Sequence, residues 1–138
     1  MFVLNLSIDK WVSNTNDEEL IENPNWEQIE AAIRQLEGKR ITLVTLGAGD
    51  ETYMTIGNGY SGKYIVSVTF DNLDFYNLID LSKSDVPEKL VVGGQEGIYS
   101  SKICVDLLRC LLAARTFAES GKLDPLLTWE SDKSLVEV

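Results

Sequence analysis

Histidine is absent from the 138 residues, and basic residues number only 12 against 22 acidic ones, leaving a net charge of −10. The missing imidazole removes the commonest general base at neutral pH and the commonest metal ligand, so most hydrolase and transition-metal schemes lose their central part. The shortage of Lys and Arg argues against nucleic acid as a partner, because phosphate binding depends on clustered cations that release counterions. A basic partner is the natural complement, and binding is favoured over catalysis.

Cysteine is scarce too. Cys104 and Cys110 fall in a stretch that reads as helix, where six residues at ~100° each set them about 240° apart, on different sides, so they cannot bridge one another. Without a histidine to activate either, they read as reduced thiols in or near the core. Long hydrophobic runs are lacking as well: Ile103 to Ala118 is broken by Asp106, Arg109 and Arg115, too short and too charged to span a bilayer. Met1 to Ile8 has no basic leader and changes polarity too early for a signal-peptide core, so it reads as a first strand and a cytoplasmic location is expected.

What is present suits one domain over residues 1–138. The chain is 44% hydrophobic, and a domain of this length buries roughly 68–70% of its unfolded surface without a disulfide or metal staple. After the acidic link Ser13 to Glu19, a helix start is written in Asn23-Pro24-Asn25-Trp26-Glu27-Gln28. Either Asn25 caps it with Gln28 reaching back, or Asn23 caps with Pro24 at the first helical position. Trp26, Ile29, Ile33 and Leu36 share one face, and Gly38 stops the helix.

The period then changes from 3.6 to 2. Ile41 to Leu46, Thr52 to Ile56 and Lys63 to Phe70 read as strands joined by glycine-rich turns, an antiparallel meander that Tyr76 to Leu81 and Lys89 to Val92 can extend. A second helix, from Ser100 or Ser101 to Ala118, carries a broad apolar face that includes Leu108 and Leu112 and is expected to be deeply packed, ending at Gly121. Leu123 to Glu130 returns as an extended segment or turn. The fold class is therefore α+β: a mainly antiparallel meander with two amphipathic helices packed on it.

No motif survives as a catalytic or metal signature. Gly47-x-Gly49 lacks the third glycine and precedes a strand, so it reads as a hairpin turn. Gly59-Tyr60-Ser61-Gly62 has the wrong spacing for a nucleophile elbow, and Asp71-Asn72-Leu73-Asp74 lacks the glycine and glutamate of a calcium loop. No cofactor or metal is expected. The charges are more informative once placed on the meander. Alternating strand direction brings Asp50, Glu51, Asp71, Asp74 and Glu96 to one end, joined by the helix start and by Asp17, Glu18, Glu19 and Glu22, while Lys39, Arg40, Lys63, Lys83 and Lys89 gather at the other. The five acids Asp50, Glu51, Asp71, Asp74 and Glu96 form a rim suited to a basic partner.

Several blocks carry a family resemblance. Asn23 to Ile33, Val91-Val92-Gly93-Gly94-Gln95, Ala113-Ala114-Arg115-Thr116-Phe117, Leu123-Asp124-Pro125 and Trp129-Glu130, in that order over about residues 23 to 130, resemble the first-numbered immunity-protein family of bacterial polymorphic toxin systems. The resemblance implies an α+β protein, itself no enzyme, that binds and neutralises a cognate toxin by stoichiometric occlusion, the toxin often being a deaminase or nuclease acting on nucleic acid. It names no contact residues, and the matched blocks read as capping, turn and core positions. The rival classes are a carboxylate-dependent hydrolase and a small-ligand or adaptor domain. A pocket with two close, desolvated acids would mark the first, a deep apolar cavity the second, and an open acidic surface the inhibitor.

Overall fold

Alternating polarity over the first two thirds of the chain becomes a string of short strands in the computed structural model, which describes residues 1–132. In chain order these are β1 (Asn5–Val12), β2 (Thr15–Asn16), β3 (Glu19–Glu22), α1 (Trp26–Gln35), β4 (Ile41–Gly47), β5 (Tyr53–Asn58), β6 (Tyr64–Thr69), β7 (Phe75–Ile79), β8 (Pro87–Val92), β9 (Gln95–Ser100), α2 (Leu107–Ser120) and β10 (Thr128–Ser131). An eight-stranded sheet runs β10-β7-β6-β5-β4-β1-β2, with β3 also on β1, and every pair in it is antiparallel. The α+β meander expected from the sequence is the observed architecture.

One face of this sheet is the core. Leu6, Val44, Leu46, Met54, Ile56, Val66, Val68 and Leu78 are buried against Ile29, Ala32 and Ile33 of α1 and Cys110, Ala113, Ala114, Phe117 and Ala118 of α2. Each fully buried Val, Leu, Ile or Phe is worth about 1.5–3 kcal/mol. The start of α1 resolves the two capping alternatives in favour of Asn25: its side chain accepts from the Gln28 amide at 2.8 Å while Gln28 accepts from the Asn25 amide at 2.9 Å. Gly121, at φ 71°, caps α2 and leaves room for the Phe2 ring against its α-carbon. Among the described residues, no helix is long and apolar enough to cross a membrane.

Three expectations need correction. The segment Lys89 to Val92 does not extend the meander; β8 pairs with β9 alone, and this hairpin folds over the outer face of the sheet. Its own small cluster, Ile65, Leu90 and Cys104, separates it from the main core. Gly57 makes the docking possible, because a side chain there would collide with Val92. Secondly, α2 begins at Leu107 under an Asp106 cap rather than near Ser100, so Cys104 precedes the helix; both cysteines are free and buried. Thirdly, the buried arc of α2 is centred on the small residues Cys110 and Ala114, which let it approach the sheet closely. At ~100° per residue, Leu108 and Leu112 lie about 160° from Cys110 and face out.

In the turn from α1 into β4, where the Glu37 and Gly38 amides also donate to the Ile41 carbonyl, one carboxylate gathers three amides. Glu37 accepts from the backbone amides of Ile41 at 2.9 Å, Lys39 at 3.1 Å and Arg40. These amides, Ile41's foremost, hold its carboxyl below the ordinary value of 4.5. A depressed folded-state pKa means the contribution is complete above the unfolded pKa and is lost as pH falls through the folded one. Glu37→Gln is therefore expected to cost about 0.5–1 kcal/mol at neutral pH after solvent screening. Denaturant titrations should show its gap to the parent protein closing on acidification below about pH 4; a gap independent of pH would show that the charge plays no part.

Candidate protein-binding surface

Because β4, β5, β6 and β7 alternate in direction, the turns after β4 and after β6 emerge side by side. The Tyr53 hydroxyl donates to Asn72 Oδ1 at 2.7 Å and the Thr52 hydroxyl to the Phe70 carbonyl at 2.9 Å, tying the two turns together. Asp50 and Glu51 lie exposed on the first turn, with Asp71 exposed and Asp74 half-buried on the second. Four of the five predicted rim acids thus share one end. Two further carboxylates join them. Glu22 stands opposite Asn5, which itself pairs with Gly47, and Asp132 follows β10, its amide bonded to the Phe75 carbonyl at 2.9 Å. Lys122 approaches this end from the helix layer, next to Gly121 and Phe2.

Within the rim, Asp71 organises its own turn. Its carboxylate accepts from the amides of Asp74 at 2.8 Å and Leu73 at 2.9 Å, and these bonds, Asp74's first, hold its carboxyl below the ordinary value of 3.8. Thr69 adds a bond to the Asp74 carbonyl at 2.7 Å and accepts from the Asn72 amide at 2.9 Å. The turn so fixed presents Leu73 outward, 81% exposed. A turn whose backbone is fixed before binding loses less entropy on association.

Other apolar side chains stand at the same end. Phe70, on the same turn, lies 6.3 Å from both Tyr76 and Phe117, and Phe2 meets Phe117 edge-on at 5.7 Å. Phe2 and Phe70 are exposed on their outer sides, and Leu4 is exposed beside the Gly47 carbonyl that its amide contacts. The acidic end is therefore also an apolar one: Phe2, Phe70 and Leu73 inside a fringe of carboxylates. Sequence reasoning missed this centre, although a leucine inside the polar turn Asp71-Asn72-Leu73-Asp74 has no core to enter and could have marked it.

Glu96 does not belong to this surface. It is the second residue of β9, opposite Val91, at the tip of the hairpin that leaves the sheet. That tip reaches the other end, where the Gly94 amide donates to the Thr42 hydroxyl at 2.8 Å and Gly94 packs on the Trp11 indole. The acidic link divides similarly: β3 runs antiparallel to β1 from Glu19, opposite Ile8, to Glu22, opposite Asn5, so only Glu22 reaches the acidic end. Glu19 is bonded to Lys10 at the other end, and Lys63 to Glu88. The far end is thus a mixture of both signs, whereas the turns after β4 and β6 bring carboxylates alone. Strands of six residues separate the ends by about 20 Å, more than two Debye lengths at physiological salt.

Open clefts lie elsewhere among the described residues, two of them near carboxylates. One, about 300 Å³, is lined by Lys10, Trp11, Val12, Glu37, Arg40 and Ile41; the Trp11 indole nitrogen is buried without a hydrogen-bond partner among the described residues. The other, about 240 Å³, lies between Asp80, Leu81, Arg109 and Leu126. Each contains one carboxylate, already engaged: Glu37 by its three amides and Asp80 by the Ser82 hydroxyl at 2.7 Å and amide at 3.0 Å. Among the described residues, no group of three or more His, Cys, Asp or Glu is placed to hold a metal ion.

The blocks behind the family resemblance fall on structural positions. Asn25 and Gln28 make the capping box, Gly93 and Gly94 the β8–β9 turn, and Ala113, Ala114 and Phe117 the core face of α2, while the Trp129 indole donates to the Asp124 carbonyl at 3.1 Å. In comparisons with known proteins, no family model matches this chain and no curated protein is similar to it.

Proposed function

We propose that this protein is a stoichiometric inhibitor of the immunity-protein kind, whose acidic, apolar-centred end covers a basic surface on a cognate toxin. The observation that carries the reading is the union of Phe2, Phe70 and Leu73 with Asp50, Glu51, Asp71 and Asp74 on one rigid end. An interface of standard size, roughly 800 Å² per partner, needs an apolar centre for affinity and a polar rim for selectivity, and this end supplies both. A toxin that acts on nucleic acid displays Lys and Arg where its substrate's phosphates lie, so carboxylates can occupy that groove in the substrate's place. Such a toxin is met in the cytoplasm. The hydrolase alternative gains no support from two clefts that each hold a single, already bonded carboxylate, and the ligand-binder alternative none from clefts that are open to solvent rather than deep.

Co-expression with the product of the neighbouring gene is expected to yield a one-to-one complex in which toxin activity vanishes at equimolar inhibitor. Leu73→Asp should weaken that complex by about 10- to 100-fold while leaving the fold intact, because Leu73 touches little of its own chain. Full affinity in a variant combining Leu73→Asp with Asp50→Lys would remove this surface from consideration.

A further inference from the structure

The hairpin β8–β9 crosses the strands beneath it. Its base meets the end of β7, where the Asp80 amide donates to the Lys102 carbonyl at 2.8 Å. Leu90 then packs on Ile65 of β6, Val92 on Gly57 of β5 and Gly93 beside Leu43 of β4, before Gly94 reaches Trp11. The two-residue turn Gly93-Gly94 makes Val92 and Gln95 a hydrogen-bonded pair, so the main-chain groups of Lys89 and Val91 point away from β9, and those of Glu96 and Ile98 away from β8. The Val91 amide accordingly donates to Oδ1 of Asn58, the residue that ends β5, at 3.3 Å. β9 is therefore the strand nearer the acidic end. Among the described residues, the amides and carbonyls of Glu96 and Ile98 on its outer edge have no partner.

In front of this edge the outer face of the large sheet is uncovered. Two residues beyond the row Leu43, Gly57 and Ile65 that carries the hairpin, Ser7, Thr45, Thr55, Ser67 and Asn77 stand in register across β1, β4, β5, β6 and β7. All are half-buried, and the hydroxyls among them have no hydrogen-bond partner among the described residues. In the next row toward the rim, the Tyr53 and Phe75 rings meet edge-on at 6.4 Å. From Gly57 back to Tyr53 the chain covers about 13 Å and β9 takes up about the first 5 Å, leaving a trough wide enough for one more strand. We propose that this trough receives an extended, basic segment of the partner protein, which adds to β9 as a further strand; the inference rests on the inhibitor reading only for the partner's identity. The backbone selects the conformation, because the free amides and carbonyls of an edge are satisfied by another strand. Charge selects the sequence. The two rows of the trough end in Glu130, opposite Asn77, and Glu22, opposite Asn5, with Asp50, Glu51 and Asp71 behind them and no Lys or Arg in either row. Glu96 and Lys89 face the solvent side of the hairpin, opposite to the buried Leu90, and leave that balance unaltered.

NMR titration of the full chain with a capped peptide of about ten alternating lysines and threonines tests the trough directly. The peptide is expected to bind saturably with a dissociation constant of about 0.1–1 mM, to shift the amides of Glu96, Ile98, Thr55 and Ser67, and to slow hydrogen exchange at Ile98. Ile98→Pro removes an amide that donates nothing to β8, so the hairpin persists while the edge loses its donor, and affinity should fall by about tenfold or more. Thr55→Lys leaves β9 untouched and puts a cation on the floor; it should weaken the peptide similarly, with circular dichroism unchanged. Absence of saturable binding would overturn the proposal, as would shifts confined to the turns carrying Asp50 and Asp71. Equal affinity for the same peptide methylated at every backbone nitrogen would overturn it too, because charge alone would then explain binding. A dimer of the free protein that Ile98→Pro dissociates would assign the edge to a second copy instead. Leu73→Asp should leave peptide affinity unchanged, so a peptide that fails to bind while Leu73→Asp still weakens the toxin complex removes the trough and not the inhibitor reading.

Discussion

Phe117→Ala is expected to destabilise the fold by about 3–5 kcal/mol, a large share of the roughly 5–15 kcal/mol that holds a domain of this kind together. Phe117 is fully buried on the sheet side of α2. It also backs the candidate surface, with Phe2 edge-on at 5.7 Å and Phe70 at 6.3 Å. Removing the ring leaves a cavity that polar solvent cannot fill favourably and takes the support from beneath both exposed aromatics. With a urea slope of about 1–3 kcal/mol per molar, the unfolding midpoint should fall by one to several molar. Phe117→Leu keeps most of the apolar volume and should lose appreciably less. The distinctive outcome is a double effect: at temperatures where Phe117→Ala is still folded, its affinity for the partner should fall as well, although Phe117 is shielded from the surface. A midpoint within a few tenths of a molar of the parent's would mean that the core is divided differently from the packing described above.

Elements encoded by neighbouring residues were legible in the sequence, and those decided by distant partners were not. The capping box of α1 needs only Asn25 and Gln28, the helix stop only Gly121, and the buried face of β6 only the alternation of Tyr64, Val66 and Val68. The hairpin β8–β9 is different. A short apolar run has the same period whether it joins one sheet or another, and what draws Val92 over the sheet is the absence of a side chain at Gly57, 35 positions away in the chain. Glu96 was displaced from the rim for that reason alone. On α2 the sum of apolar residues overstated the buried arc, since close packing on the sheet selected the small residues Cys110, Ala113 and Ala114 and turned Leu108 and Leu112 outward. Phe70 continues the inward stripe of β6 on paper, but the strand ends at Thr69 and the turn lifts its ring to the surface. The carboxylates of the site follow from strand direction; its apolar centre depends on where strands end, which alternation does not specify.

Making the same charge change at two different positions separates the acidic end from simple acidity. Asp50→Lys and Glu96→Lys alter the net charge equally, yet Asp50 lies on the turn that is tied to the turn carrying Leu73, and Glu96 at the hairpin tip near Trp11 and Thr42. Electrostatic steering raises association rates by about 10- to 1,000-fold when opposite potentials face one another, and it decays over a Debye length of about 8 Å at physiological salt. Asp50→Lys combined with Glu51→Lys should therefore slow association with the basic partner by at least about tenfold at low salt, with a much smaller change in dissociation. Glu96→Lys should slow it hardly at all, since the two ends stand about 20 Å apart. Near 1 M salt, where the screening length shrinks to about 3 Å, the variants should associate at nearly the same rate. Leu73→Asp supplies the opposite signature, because losing an apolar anchor accelerates dissociation and does so at any salt. Stopped-flow measurement across a salt series distinguishes the patterns: equal slowing by Asp50→Lys and Glu96→Lys would mean that net charge steers the partner and that the position of the carboxylates is immaterial.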